Sequence, residues 1–338
     1  MRAVVIPSPG EIAVGGVDDP TPGARDVVVA VDACGICGTD IHILDGEFGP
    51  TGYPIVPGHE FAGEVVAVGG EVSSLREGDF VCVDPSLFCG VCRFCREGRG
   101  NLCENWNAIG VTVDGGCAEF VSVPAANAFT LPDDVERRFG TIVEPLSCAV
   151  RGFDQLQVRL ADHYLIYGAG TMGLLLTQLA AGAGAGSVTV VDRNPDRLPR
   201  ALSLGATHAA TSADELDRSA WEVVIDATGV VPAIEDGLTR VRRGGTFLMF
   251  GVASEEATAT FSPFRIYNDE IRIIGSMAVL HSFERARDLL VAGAIDAGAL
   301  LTHRVGLGDY PSAIDAFRSG AGLKIQVAPG GGEAPASG

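Results

Sequence analysis

HYLIYGAGTMGLLLTQLA, residues 163–180, decides the architecture of this chain. A short apolar run ends in Gly168-Ala169-Gly170-Thr171-Met172-Gly173, and an apolar stretch of helical character follows at once. Strand, glycine turn and helix in that order form the fingerprint of a dinucleotide-binding βαβ unit. Gly168 makes the tight turn, Gly170 lets a pyrophosphate approach the backbone, and Gly173 lets helix and strand pack closely. The helix opened by Thr171 and Met172 then offers its N-terminus to phosphate charge. Asp192 closes the next apolar run, SVTVVDRN, 24 residues after Gly168. A carboxylate at that spacing accepts ribose hydroxyls and repels a 2′-phosphate, so NAD is expected over NADP, with Arg193 and Arg197 softening the preference.

Beyond this unit, WEVVIDATG and GTFLMFG are further near-continuous apolar runs, the pattern of a parallel sheet covered on both faces. Helical stretches such as NPDRLPRALSLG separate them, which predicts a doubly wound α/β domain. Upstream, DVVVAVDAC, EFAGEVVAVG and DFVCVDP are short runs broken by Gly, Pro and Asp, as in a β-barrel. After about residue 275 the pattern turns helical (SFERARDLLVAG) and ends in a short strand, LKIQVAP. The closing PGGGEAPASG reads as a segment without fixed structure. With 338 residues at roughly 150 per domain, two domains are expected. Their predicted extents are 1–150 with 286–338, and 151–285, with a small lobe at 85–105.

The chain is 47% hydrophobic and 20% charged, as globular proteins are, and its net charge is −19. Such a field repels phosphate backbones and anionic lipid, which argues against nucleic-acid and membrane-surface roles. The stretch Leu174 to Val191 is too Gly-laced to span a bilayer, and the N-terminus carries no secretory pattern. A reducing cytoplasmic setting is therefore expected, in which nine cysteines serve metals or chemistry rather than disulfides. Lys324 is the chain's single lysine.

Cys89-x2-Cys92-x2-Cys95-x7-Cys103 is the sharpest metal signal. Four thiolates close a tetrahedral shell around Zn²⁺ and leave no open position, so this site is structural; an iron–sulfur cluster is the other occupant such spacing allows. A second set is dispersed: Cys37-x-Thr39-Asp40-x-His42, Gly58-His59-Glu60 and Glu144-Pro145. Together these supply a thiolate, an imidazole and carboxylates, the protein part of an open zinc site with room for a substrate oxygen. Cys34, Cys82, Cys117 and Cys148 remain and read as small buried apolar side chains.

In combination, GICGTDIH, PGHEFAGEV, the four-cysteine lobe, VEPLS and YGAGTMG resemble the zinc-containing medium-chain dehydrogenase/reductase family, over residues 1–328 in order. The resemblance implies a GroES-like catalytic β-barrel, a Rossmann coenzyme domain, an active site in the cleft between them, and assembly as a homodimer or homotetramer. It places Cys37 and His59 as catalytic zinc ligands and leaves the third to Glu60 or Glu144. Two zinc ions per chain follow, one catalytic and one structural. Thr39 falls where the family's hydroxyl contacts the substrate oxygen, and His42 where a histidine relays the proton to solvent. Simple alcohol dehydrogenases carry a cysteine where VEPLS carries its acid, and this chain resembles instead the sorbitol and polyol branch. The expected reaction is oxidation of a secondary hydroxyl of a polyol or sugar-like small molecule to a ketone. L-threonine or another amino alcohol is the alternative substrate within the family, and a general secondary alcohol a further one. Animal sorbitol dehydrogenases carry a pocket arginine near position 277; here Met277, Ala278, Val279 and Leu280 stand there, as a pocket edge or as a contact loop.

Overall fold

The computed structural model describes residues 1–331; the last seven residues of PGGGEAPASG lie outside them. The chain divides into two compact units. One comprises Met1–Ser147, Val279–Ala292 and the chain from Ala297 onward; the other comprises Cys148–Ala278 and Gly293–Asp296.

The first unit is built on an antiparallel sheet around the long strand Asp26–Gly35. That strand pairs with Glu60–Val68, Phe120–Pro124 and Lys324–Ala328, and Glu60–Val68 continues the sheet to Phe80–Val83 and Ala128–Thr130. Register shifts between Val28 and Val29 and between Val31 and Ala33 bend the central pair, as barrel curvature requires. Val27, Val29, Ile36, Phe61, Val65, Val81 and Ile325 fill the interior. The strand Leu301–Gly306 pairs in parallel with Lys324–Ala328, its residues all half-buried. The sequence gives it little signal, because no clean apolar alternation marks a strand with two half-covered faces.

The second unit is a six-stranded parallel sheet in the spatial order His208–Ala210, Ser187–Val191, His163–Tyr167, Trp221–Asp226, Val241–Met249, Arg272–Gly275. Numbered along the chain this is 3-2-1-4-5-6, the doubly wound order of dinucleotide-binding domains. Tyr164, Leu165, Ile166, Val190, Val224, Ile225, Phe247 and Leu248 are all buried, as the near-continuous apolar runs require. The apolar stretch from Leu174 to Val191 splits into the helix Thr171–Gly182 and the strand Ser187–Val191. Among the described residues no helix is long and apolar enough to cross a membrane.

At the amino end of this sheet the Glu222 carboxylate accepts the His163 backbone N–H at 3.0 Å and pairs with Arg218 at 3.3 Å and Arg242 at 2.8 Å. Desolvation works to raise its pKa, but the His163 N–H and the two guanidiniums outweigh it, and the net shift is downward. A depressed carboxylate stabilises the fold above its ordinary unfolded pKa, and that stabilisation is lost as pH falls through the lower folded value. Glu222→Gln should therefore lower the melting temperature at pH 7 and match the parent in acid. Melting curves between pH 3 and 7, on the order of the carboxylate range, check this; a constant offset across that range would contradict it.

Candidate active site

The Gly35–Asp45 segment and the start of the strand Glu60–Val68 assemble the site in the first unit. Cys37 caps the helix Gly38–Asp45: its backbone N–H donates to Asp40 Oδ2 at 2.8 Å, closing the first turn. The other oxygen of Asp40 lies 3.7 Å from Nδ1 of His59, and both groups are buried. Neither of these two atoms has a hydrogen-bond partner. A small closure would join them, committing Nδ1–H to Asp40 and leaving Nε2 as the free donor atom, which is how metal-binding histidines are oriented.

One ligand atom each from Cys37, His59 and Glu60 lies within 4.8 Å of the others. Gly35 sits opposite Glu60 in the strand pairing, and a Cβ there would come 2.3 Å from Glu60 Oε2, so the glycine opens the space the carboxylate uses. That same oxygen is ion-paired to Nζ of Lys324, which also donates to the Ile36 carbonyl at 3.1 Å. Lys324 is 2% exposed. Burial works to lower its pKa, but Glu60, Cys37 and Glu144 outweigh it and hold the lysine charged. Burial likewise disfavours a charged His59, while the Cys37 sulfur, Asp40 and Glu144 push its pKa well up. The donor set is thus strongly anionic around a buried imidazole, an environment that suits a divalent cation. Glu144 lies in the first turn of the helix Val143–Asp154 and is buried, acting on His59 and Lys324 by charge; it lies outside the three-residue ligand group.

Thr39 Oγ1 is 3.8 Å from Cys37 Sγ. His42, on the same helix, is half-exposed and shares a 3.0 Å hydrogen bond between Nδ1 and Glu47 Oε2. The left-handed Gly46 turns the chain back so that the Glu47 N–H reaches the His42 carbonyl at 2.8 Å. That turn brings the carboxylate onto the ring. Sequence alone gives no role of their own to Asp40, Lys324 and Glu47.

The cysteine lobe is equally well formed. Cys89 and Cys95 sulfurs are 3.9 Å apart, as are those of Cys92 and Cys103. A tetrahedron with Zn–S bonds of about 2.3 Å has edges of about 3.8 Å, so the spacing fits the ion. Backbone N–H groups of Cys92, Cys95 and Asn105 point at the sulfurs of Cys89, Cys92 and Cys103. The Val91 and Cys92 N–H groups bring the Cys89 thiol down to about 6. None of the nine cysteines is in a disulfide. Cys34, Cys82 and Cys117 are buried as expected, whereas Cys148 is only half-covered.

In the second unit Gly168 has φ +103°, and a Cβ on Gly173 would lie 1.8 Å from the Gly168 carbonyl. Nothing would meet a Cβ on Gly170, which leaves the turn open for a ligand. Thr171 and Met172 begin the helix. Asp192 accepts the Ala169 N–H at 2.6 Å and the Asn194 N–H at 2.8 Å, with Arg197 at 3.8 Å. The carboxylate therefore fastens the glycine turn, and Arg197 offsets part of its charge. Arg193 is in the loop that follows Asp192. Of the 277–280 segment, Met277 is exposed while Val279 and Leu280 are buried.

Family models match twice: residues 23–133 to the alcohol dehydrogenase GroES-like domain and residues 171–292 to zinc-binding dehydrogenase. D-arabinitol dehydrogenase 1 of Uromyces fabae is 36% identical, covering 97% of both chains. D-altritol 5-dehydrogenase of Agrobacterium fabrum is 36% identical over 87% of this chain and 88% of its own. A zinc-binding dehydrogenase from Sinorhizobium meliloti, solved with NADP bound, superposes with a TM-score of 0.93 at 36% identity, covering 97% of this chain and 99% of its own.

Proposed function

Since this chain belongs to the zinc-binding alcohol dehydrogenase family, we propose that it oxidises a secondary hydroxyl of a polyol or sugar-like substrate to a ketone, with NAD as coenzyme and zinc at Cys37, His59 and one carboxylate. The observation that carries this reading is the clustering of Cys37, His59 and Glu60 donor atoms within 4.8 Å. When bound, zinc supplies the Lewis acidity that makes a hydroxyl a stronger acid, and NAD supplies the hydride acceptor. The protein's own groups do the rest. Asp40 orients His59, and Lys324 holds the Glu60 carboxylate in place. Thr39 receives the proton of the substrate hydroxyl, and His42, backed by Glu47, passes it to water. The alcohol thus loses one hydride and one proton and leaves as a ketone.

Two considerations favour a polyol. A thiolate–imidazole–carboxylate set is harder than one with two thiolates and accepts oxygen ligands more readily, which suits substrates with adjacent hydroxyls. The two curated relatives described above act on sugar alcohols by name. NAD is favoured by Asp192; the Sinorhizobium relative carries NADP, and Arg193 and Arg197 are the residues by which a 2′-phosphate would be met. A reducing cytoplasm is the proposed setting, and a homodimer or homotetramer is expected, which light scattering reads directly.

The test is a panel of tetritols, pentitols, hexitols, their phosphates, L-threonine and simple alcohols, run with each coenzyme while reduced nicotinamide is followed. Turnover of threonine or simple alcohols with no polyol oxidised would replace the substrate assignment, and faster turnover with NADP would reverse the coenzyme preference. Within the same assay His42→Gln should slow oxidation about tenfold at full zinc content. An unchanged rate and pH profile would remove His42 from the proton path.

A further inference from the structure

In an open parallel sheet a ligand sits beyond the carboxyl ends of the strands, where the strand order reverses. Here the reversal falls between His163–Tyr167 and Trp221–Asp226, which pair with Tyr167 opposite Asp226. The glycine turn after Tyr167 forms one lip of that crevice. The turn Asp226–Ala227–Thr228–Gly229 forms the other, tied across by the Ala227 N–H to the Tyr167 carbonyl at 2.9 Å.

Asp226 is fully buried. Its Oδ1 accepts the Thr228 N–H at 3.0 Å and the Thr228 hydroxyl at 2.6 Å, and its Oδ2 accepts the Gly229 N–H at 3.0 Å. Its backbone carbonyl accepts the N–H groups of Phe250 at 3.0 Å and Gly251 at 2.8 Å. One residue therefore fastens both its own turn and the turn after the next strand. The packing leaves no slack. A Cβ on Gly229, whose φ is +69°, would lie 2.1 Å from the Val252 carbonyl oxygen, and one on Gly251 would lie 2.2 Å from the Gly229 nitrogen. Across the crevice, the Thr228 methyl is 3.0 Å from where a Cβ on Gly168 would be. A buried carboxylate is costly, and it is retained where both its oxygens accept hydrogen bonds, as they do here. Ending a strand needs only a serine or an asparagine; holding three donors in a turn packed against a second turn needs both carboxylate oxygens.

We propose that Asp226 is a positioning residue of the coenzyme site, setting the Thr228–Gly229 lip against the glycine turn so that the dinucleotide meets a preformed crevice. This rests on the reading that the second unit binds a nicotinamide dinucleotide. Asp226 itself does not touch the coenzyme; it acts through the turn it holds.

Asp226→Asn keeps shape but sets an amide NH₂ against the Gly229 N–H, so one fastening becomes a repulsion. Thr228→Val removes the hydroxyl bond and keeps the methyl contact; Thr228→Ser keeps the bond. The experiment measures NADH affinity of the full-length, zinc-replete enzyme by nicotinamide fluorescence, alongside kcat and both KM values and a melting curve. Asp226→Asn should weaken NADH binding about tenfold, with kcat at saturating coenzyme and the substrate KM within about twofold. Thr228→Val should weaken it about threefold, and Thr228→Ser should match the parent. A purely architectural Asp226 would lower the melting temperature and the active fraction but leave the affinity of the folded fraction alone; that outcome overturns the proposal. Should Asp226→Asn not fold, equal affinities for Thr228→Val and Thr228→Ser overturn it as well. A parent enzyme that binds neither NADH nor NADPH overturns the coenzyme reading and this proposal with it, whereas normal binding by parent and variants overturns this proposal alone.

Discussion

Replacing His59 with alanine should lower kcat/KM by about four orders of magnitude and remove one of two zinc ions per chain, while NADH affinity stays within about threefold of the parent. His59 is 5% exposed, with Nδ1 facing the unpaired oxygen of Asp40. Among the described residues only two groups could gather enough donors for a metal, and the other is the cysteine quartet. Losing the imidazole leaves Cys37 and a Glu60 carboxylate already engaged by Lys324, too few donors to retain the ion. Asp40→Asn, which keeps every ligand and only weakens the orienting group, should fall between, at about 10- to 100-fold. Elemental analysis and steady-state kinetics on the same preparations decide this. Activity within tenfold of the parent in a His59→Ala enzyme lacking that zinc would sink the metal-centred reading.

Cys95→Ser should act in the opposite way, on persistence rather than chemistry. The quartet's sulfur spacing and the N–H groups aimed at three sulfurs describe a shell with no place for substrate. Around it the chain has only the four-residue helix Arg93–Arg96 and the short turn Gly100–Leu102. So little regular structure cannot hold itself without the ion. The expected result is one zinc per chain instead of two, protease cleavage between residues 89 and 103, and thermal inactivation faster by about tenfold or more, with the initial rate of freshly prepared enzyme near the parent's. Loss of initial rate with an intact, protease-resistant lobe would contradict the assignment.

These two sites differ in how openly the sequence displayed them. The quartet falls within 15 residues, Cys89 to Cys103, and its spacing alone marks a closed four-sulfur metal site. The glycine turn was equally legible, because a tight turn, an open approach and a close packing each exclude every other side chain. Cys37 and His59 are legible only as members of a dispersed donor set, since nothing local ties them together, and it is the resemblance that assigns them as catalytic ligands. Asp40 stands in that set without a role of its own, because a carboxylate three residues into a helix reads as a cap, which it also is. Lys324 was illegible as a site residue: it stands 264 positions from Glu60 and arrives there only because Lys324–Ala328 joins the sheet beside Asp26–Gly35. Asp226 and Glu222 sit on a strand whose apolar run announced the sheet and concealed what its two acids hold.

That solitary lysine has a practical corollary for anyone handling the enzyme. Its amine is walled off beneath Glu60, so acylating dyes, amine-coupled sensor chips and lysine-bridging crosslinkers find no accessible lysine on the folded chain. Tethering through surface carboxylates, which this chain has in abundance, avoids that bottleneck. A sharp rise in amine labelling then becomes a direct gauge of the barrel coming apart.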